Sequence, residues 1–265
     1  GAAALINTTA TAEVLVTNAT RLTSSGDVTL HADSVTVTQA VSRAVGGTGS
    51  VSADAAVATS VVTGSAKVNV AGGTIDVDGA VELAATNSRT VTTLADGTAG
   101  GSTAVGATVA VSTVSGDTEA SIDGSSHVLK AGSVKVSATK LDSISTTAKS
   151  TAGGAQHSSG APTAAENTLT TNNAETSSGK VTVAGAVSVS TLSGATDAHV
   201  ASSQSVTTAG QLTIQALNNS DAAASADASA VGSGSAGVGV AVAINVAKAN
   251  DHAYLGGSGQ VTAAG

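Results

Sequence analysis

Apolar and polar residues alternate with a period of two along much of the chain. Four short segments show this alternation clearly, namely Val28–Leu30, Val81–Leu83, Val134–Val136 and Leu212–Ile214. Such alternation places successive side chains on opposite faces of a β-strand. We therefore predict several strands of about five to eight residues in each stretch of the chain, separated by turns rich in Gly, Ser, Asn and Asp. The Ala-rich segment 220–230 is also predicted to be a strand, because small and polar residues alternate near its end and it matches Thr-rich strand segments in other copies.

A longer pattern recurs along the chain, made of a strand of small residues and Val, a polar turn and a second strand. The turn and second strand read Ser115-Gly-Asp-Thr-Glu-Ala-Ser-Ile122 in the third copy and Ser193-Gly-Ala-Thr-Asp-Ala-His-Val200 in the fourth. A glycine follows about ten residues after each copy. These glycines, called the marker glycines, are Gly26, Gly79, Gly132, Gly210 and Gly265, with separations of 53, 53, 78 and 55 residues.

This repetition predicts an all-β fold, a β-solenoid (β-helix) of about five tandem repeats of about 53 residues. We expect two coils per repeat, with one wide coil or a flattened sandwich as alternatives. Aliphatic side chains are expected to point inward, and Thr, Ser, Asn and Asp outward. The whole chain, 1–265, is then one repeat array. Its predicted copies are 1–53, 54–105, 106–180, 181–236 and a partial copy, 237–265.

The long interval contains an irregular segment, 151–180, which carries Pro162, the single proline of the chain. We predict a loop that leaves the array there, and an extra half-unit is the alternative.

Composition supports a stack rather than an ordinary globular core. The sequence has one tyrosine and no Phe, Trp, Met or Cys, and its hydrophobic share of 41% is mostly Ala and Val. Small side chains gain little free energy on burial, so backbone ladders between neighbouring strands must supply much of the cohesion. The absence of methionine predicts that the chain is a processed product or a piece of something longer. No apolar run is long enough to predict a membrane span.

Charge gives no indication of a nucleic-acid partner. The formal net charge is −8, and the ten Lys and Arg residues are scattered along the chain. Nucleic-acid binding would require a basic stripe.

Candidate chemistry is sparse. In the repeat alignment His252 shares a column with Asp197, and His199 lies two columns further on. A His/Asp cluster of this kind would be able to bind a metal, although surface polar residues are the preferred interpretation. The remaining histidines are His31, His127 and His157. Asp76-Val-Asp-Gly79 is interpreted as an ordinary turn, because no Glu follows at the distance a calcium loop requires.

Catalysis has no support in the sequence. The chain has no Gly-x-Ser-x-Gly elbow and no cluster of carboxylates with aromatic residues of the kind sugar-cleaving β-helices need. We therefore predict no enzyme activity, and we assign no catalytic, cofactor-binding or metal-binding residue and no cofactor.

The last copy, Gly237–Gly265, reads Gly-Val-Gly-Val-Ala-Val-Ala-Ile-Asn-Val-Ala-Lys-Ala-Asn-Asp-His-Ala-Tyr-Leu-Gly-Gly-Ser-Gly-Gln-Val-Thr-Ala-Ala-Gly. It resembles the repeats of giant bacterial surface proteins, the filamentous-haemagglutinin-like adhesins, including the leukotoxin-type filamentous adhesins. The resemblance spans all five copies apart from the insertion and is weaker in the first two. It implies a secreted or surface-anchored β-helix within a very long protein, associated with attachment or fibre formation. The resemblance carries over no functional residues.

These observations predict a structural and adhesive rod in a bacterial extracellular fibre or giant surface adhesin, at the cell surface or secreted, with a role in cell adhesion or biofilm. Expected partners are neighbouring repeats of the same parent chain or a second copy, and a receptor or glycan on a host or neighbouring cell. The alternative hypothesis is a glycan- or receptor-binding module whose specificity lies in segment 151–180.

Overall fold

The computed structural model describes residues 1–17, 20–46, 51–100, 103–152, 181–230 and 236–264, and within them all regular structure is β-strand. The strands form three sheets. Sheet A contains β1 (Ala2–Val16), β4 (Val51–Val70), β7 (Thr103–Ser115), β8 (Thr118–Gly124), β11 (Val181–Ser202) and β14 (Ala236–Leu255). Sheet B contains the short strands β2 (Arg21–Ser24), β5 (Thr74–Val77), β9 (His127–Lys130), β12 (Val206–Thr208) and β15 (Val261–Ala263). Sheet C contains β3 (Val28–Val45), β6 (Ala80–Ala99), β10 (Ser133–Ala152) and β13 (Leu212–Ala230).

The chain visits the three sheets in a fixed cycle, from a long strand of sheet A through a short strand of sheet B to a long strand of sheet C. Every strand pair in the described residues is parallel, for example Ala2 with Ala56 and Val28 with Val81. Each strand thus pairs with its equivalent in the next cycle rather than with a sequence neighbour. The result is an all-β fold that resembles a parallel β-helix, as the alternating pattern predicted.

The prediction of two coils per repeat is wrong. Two coils would pair strands about half a repeat apart, whereas Val28 and Val81 are 53 residues apart, the spacing of the marker glycines Gly26 and Gly79. The predicted strand length is also wrong, because β6 and β10 contain 20 residues each while the sheet B strands contain three or four. Paired strands are therefore one whole repeat apart, which is the spacing expected of one wide coil, one of the two alternatives left open.

The long interval between marker glycines runs from Gly132 to Gly210, and the predicted insertion within it separates β10 from β11. Residues 153–180, nearly all of the predicted insertion, lie outside the described residues, so the choice between a loop and a half-unit stays a prediction. The strands on either side continue the stack directly, because β11 pairs with β7 from Val181 opposite Thr103.

Some predicted turns lie inside long strands. Gly194 of the quoted fourth copy lies within β11, and its equivalent in the second copy, Gly64 of Thr63-Gly64-Ser65, lies within β4. Only the third copy is interrupted, between Ser115 of β7 and Thr118 of β8. Among the described marker glycines, Gly132 lies at a corner, because it follows sheet B and donates its amide N–H to the carbonyl oxygen of Gly79 at 2.7 Å.

The largest apolar cluster lies where all three sheets meet. It contains Val68 and Ile122 from sheet A, Ile75 from sheet B, and Leu83 and Val136 from sheet C. Farther along the long strands, sheet A packs directly on sheet C through alanines. These are Ala44, Ala56, Ala58, Ala95, Ala110, Ala148 and Ala186. Small side chains permit the close approach of the two sheets there.

The predicted inward and outward sides hold only in part. On β3 the buried side chains include Ser34, Thr36 and Thr38, whereas Val35 and Val37 are exposed. Segment 237–244, the most apolar stretch of the last copy, forms part of β14, and its side chains are exposed. No described strand pairs with the outer edge of β14, and no described sheet C strand lies beyond β13 to cover it. The Ala-rich segment 220–230 is a strand, as predicted, within β13.

Candidate functional site

Parallel pairing lines up outward-facing polar side chains on sheet A. One column runs across five strands and alternates in charge over its first three members. It consists of Glu13, Lys67, Glu119, Asp197 and His252. The next outward column lies two residues farther along each strand. It consists of Leu15, Asn69, Ser121, His199 and Tyr254.

Two contacts hold the first column together. The Lys67 ammonium lies 3.0 Å from a carboxylate oxygen of Glu119. The hydrogen bond to Glu119 raises the pKa of Lys67, and the nearby carboxylates of Glu13 and Asp123 act in the same direction. His252 Nδ1 lies 2.8 Å from Asp197 Oδ1. The prediction that His252 and Asp197 share a column is thus confirmed.

A polar cluster surrounds Ser121 on the outer face of β8. Glu119 and Asp123 flank it along the same strand, while Asn69 of β4 and His199 of β11 lie directly opposite it on the two neighbouring strands. Ligand atoms of Glu119, Asp123 and His199 lie within 4.8 Å of one another. We call these five residues the Ser121 cluster.

Hydrogen bonds orient the members of the Ser121 cluster. Asn69 Nδ2 donates to Ser121 Oγ at 2.9 Å and to Asp123 Oδ2 at 3.1 Å. Ser121 Oγ donates to Glu119 Oε1 at 3.2 Å. The His199 ring stacks on Tyr254, with a centroid separation of 4.7 Å and an interplanar angle of 9°. The cluster is therefore partly preorganised by neighbours that do not themselves supply its carboxylates or imidazole.

A shallow groove of about 360 Å³ lies on the same face, beside the interruption between β7 and β8. It is lined by Thr11, Glu13, Ser65, Ala66, Lys67, Gly116, Asp117 and Glu119. None of these is aromatic, so the groove lacks the ring platform that sugar subsites commonly use.

A second polar group is buried between sheets A and C. Arg89 of β6 makes a two-pronged ion pair with Asp142 of β10, with both nitrogen–oxygen distances at 2.7 Å and both side chains fully buried. Arg89 also donates to the carbonyl oxygen of Ser115 at 2.5 Å. Ser220 Oγ donates to Asp142 at 3.1 Å. Such bidentate pairs combine strength with geometric specificity.

Lys140 lies beside this ion pair, with its side chain only 1% exposed. Its ammonium is 3.8 Å from Asp142 and 3.4 Å from the carbonyl oxygen of Ser193. Burial lowers the pKa of Lys140, and repulsion from Arg89 lowers it further, although Asp142 opposes both effects. We call Arg89, Asp142 and Lys140 the buried ionic network.

Glycine makes room for the buried ionic network on the opposite sheet. A β-carbon on Gly64 would lie 3.1 Å from Arg89 Cδ, and one on Gly194 would lie 2.6 Å from Lys140 Nζ. Gly116 and Gly194 also have positive φ angles, of 129° and 139°. The glycine of the predicted turn motif thus faces an interior that holds long charged side chains.

The other residues considered from sequence are dispersed. His31 on β3 is half-exposed and 3.9 Å from Asp33, and His127 Nε2 lies 3.0 Å from Ser205 Oγ. Asp76 and Asp78 pair individually with Arg21 and Lys130, so they do not converge on one point. His157 lies outside the described residues.

Sequence reasoning missed the buried ionic network, but a signal for it existed. On β10 the apolar inward phase of Val134, Val136 and Ala138 continues with Lys140 and Asp142 and then resumes at Ile144. β6 is interrupted at the same two columns, by Asn87 and Arg89. Charges in the apolar phase of two paired strands, with opposite signs in one column, indicate a buried pair.

Comparisons with known proteins assign no role to these residues. No family model matches the chain, and neither the curated proteins nor the solved structures contain a significant match. Within the described residues, no helix is long and apolar enough to cross a membrane.

Proposed function

We propose that this chain is a structural and adhesive segment of a bacterial extracellular fibre or giant surface adhesin, built as a β-solenoid of about five tandem repeats. The observation that carries the proposal is the continuous register of its parallel ladders. β6 and β10 pair over 20 consecutive residues, from Ala80 opposite Ser133 to Ala99 opposite Ala152. Many such hydrogen bonds, each contributing about 0.5–1.5 kcal/mol net, act together along the stack.

The dimensions of the stack support a role as one segment of something longer. Neighbouring strands are about 4.8 Å apart, so the five layers of sheet A, in which β7 and β8 share one layer, extend roughly 20 Å along the stacking direction. A strand of 20 residues extends about 65 Å across it. The described segment is therefore wider than it is tall, and a rod requires further repeats of the same parent chain or further copies stacked on it.

The edges of sheet A are suited to such stacking. β1 and β14 each have one paired edge and one edge that no described strand covers. Exposed aliphatic side chains accompany these edges, including Leu5 at 74% and Val240 at 58% exposure. An unpaired strand edge is a template for another strand of the same kind. The expected partners are accordingly neighbouring repeats or second copies, followed by a receptor or glycan on a host or neighbouring cell.

Negative-stain electron microscopy of the purified chain over a range of concentrations tests the proposal. End-to-end stacking predicts threads about 65 Å wide that lengthen with concentration, and aligned threads should diffract at about 4.8 Å along their axis. Flat separate particles with one dimension of about 65 Å would restrict the proposal to a segment stacked by its own parent chain. Round particles without such a dimension would refute both forms.

A further inference from the structure

We propose that Glu119, Asp123 and His199 bind one divalent transition-metal ion, of the class of Zn²⁺, on the outer face of sheet A. The position follows from the strand register. Ser121 is small and sits at the centre, with the two carboxylates beside it on β8 and the imidazole across from it on β11. The longer side chains of the Ser121 cluster therefore converge above it. This site does not depend on the proposed function.

The ligand types fit a borderline transition-metal ion better than a hard cation. One imidazole nitrogen with carboxylate oxygens is a common donor set for Zn²⁺ and its neighbours, whereas Ca²⁺ takes oxygen ligands alone. Tetrahedral ligands at about 2.1 Å from the metal are about 3.4 Å from each other. The ligand atoms of Glu119, Asp123 and His199 lie within 4.8 Å of one another, so side-chain rotations that move these atoms by about 1 Å complete the site.

Unsatisfied polar atoms within the Ser121 cluster point independently to a ligand. The His199 side chain is 12% exposed, yet its Nδ1 is buried without a hydrogen-bond partner in the described residues. Its Nε2 is 3.8 Å from Asp123 Oδ2, which is too long for a hydrogen bond. Asn69 is 6% exposed, and its Oδ1 is also buried without a partner in the described part of the chain. Buried polar atoms without partners are costly, and a metal ion coordinated by Nδ1 would satisfy that nitrogen, whereas one coordinated by Nε2 would not.

Residues next to the proposed ligands hold them in place, as neighbouring side chains commonly do at metal sites. Asn69 donates to Asp123, and Tyr254 stacks on the His199 ring, so both restrict the orientation of a ligand. Glu119 uses Oε2 for Lys67 and Oε1 for the weak bond from Ser121. Oε1 is therefore able to turn to the ion while the Lys67 pair persists.

Binding would link neighbouring strands of the stack. Glu119 and Asp123 belong to β8, whereas His199 belongs to β11, one cycle later. The ion would therefore connect two adjacent cycles across the outer face, in addition to the backbone ladder between them. Because a metal that binds only the folded state stabilises it, unfolding should shift to higher temperature in its presence.

Isothermal titration of the full chain with ZnCl₂, after treatment with a chelator, tests the proposal. We expect one Zn²⁺ per chain, no binding of CaCl₂ under the same conditions, and a higher melting temperature with Zn²⁺. His199→Ala should weaken Zn²⁺ binding at least about 10-fold and abolish the thermal shift. His252→Ala is the matched control, because it removes a 62% exposed histidine from the same face. It should change the affinity by less than about twofold.

A second variant guards against misfolding of the first. Asp123→Asn preserves the size of the side chain while removing a charged ligand, and it should also weaken binding at least about 10-fold. Circular dichroism checks that both variants keep the β-sheet fold. The proposal is overturned if the wild-type chain binds no Zn²⁺, or if folded His199→Ala and Asp123→Asn both retain wild-type affinity.

Discussion

Asp142 is the single carboxylate of the buried ionic network, and its removal is the most informative perturbation of this fold. In Asp142→Asn the side chain keeps its size but loses its charge. Arg89 and Lys140 then share an interior site without a counter-ion, with side-chain exposures of 0% and 1%. Breaking a buried pair by removing one partner typically costs about 3–5 kcal/mol.

That cost converts to a measurable thermal shift. Unfolding entropy is about 2.1 cal/mol/K per residue, which gives roughly 0.55 kcal/mol/K for a chain of 265 residues. A loss of about 3–5 kcal/mol therefore lowers the melting temperature by about 5–9 °C. Urea titration followed by circular dichroism measures the same loss as a change in the free energy of unfolding.

A matched control separates the buried charge from the chemistry of the substitution. Asp221→Asn makes the same change at an exposed position on β13, and it should alter the free energy of unfolding by less than about 0.5 kcal/mol. If Asp142→Asn were as stable as Asp221→Asn, Asp142 would not be neutralising the two cations.

Three further predictions concern the interior. The fold lowers the pKa of Lys140, so the unfolded chain binds more protons, and the stability of the wild-type chain should increase with pH up to the ordinary pKa of 10.5. Lys140→Met should remove this increase, which urea titrations at several pH values would measure. Gly116→Ala should destabilise strongly, because φ is 129° and the β-carbon would lie 2.0 Å from a backbone oxygen, whereas Gly185→Ala has nothing nearer than 3.9 Å and should be tolerated in thermal melts. Ile144→Ala should cost about 2–5 kcal/mol in urea titrations, and the more exposed Leu141→Ala distinctly less.

The offset between paired strands was predicted well from the sequence, whereas the positions at which strands end were predicted poorly. Strand pairing at an offset of 53 residues was visible in the marker glycines, because paired positions in a parallel stack face the same environment and so carry similar residues. Alternation with a period of two, however, does not say where a strand ends. Gly64 and Gly194 were interpreted as turns because glycine is typical of turns. At Gly64 a β-carbon would instead crowd Arg89, which lies on another strand. At Gly194 the positive φ of 139° and the close approach of the Gly116 carbonyl oxygen require glycine, and Lys140 lies nearby as well.

For the candidate site, the sequence predicted which residues share a column, but not which residues of neighbouring columns meet. The column of Asp197 and His252 followed from the repeat alignment, and so did the position of His199 two residues farther on. The convergence of Glu119 and Asp123 on His199 did not, because it depends on side-chain directions above Ser121. Alignment gives the register of neighbouring strands, whereas rotamers decide which members of neighbouring columns meet.

The buried ionic network also explains how a stack of small residues keeps its register. A slip of two residues between β6 and β10 leaves every inward side chain inward, and alanine or valine would distinguish little between the old and new positions. Arg89 distinguishes them sharply. In the observed register it lies opposite Asp142, but a slip of two residues places it opposite Lys140 in one direction and Ile144 in the other. Either slip leaves a buried guanidinium without its carboxylate, at a cost of several kcal/mol.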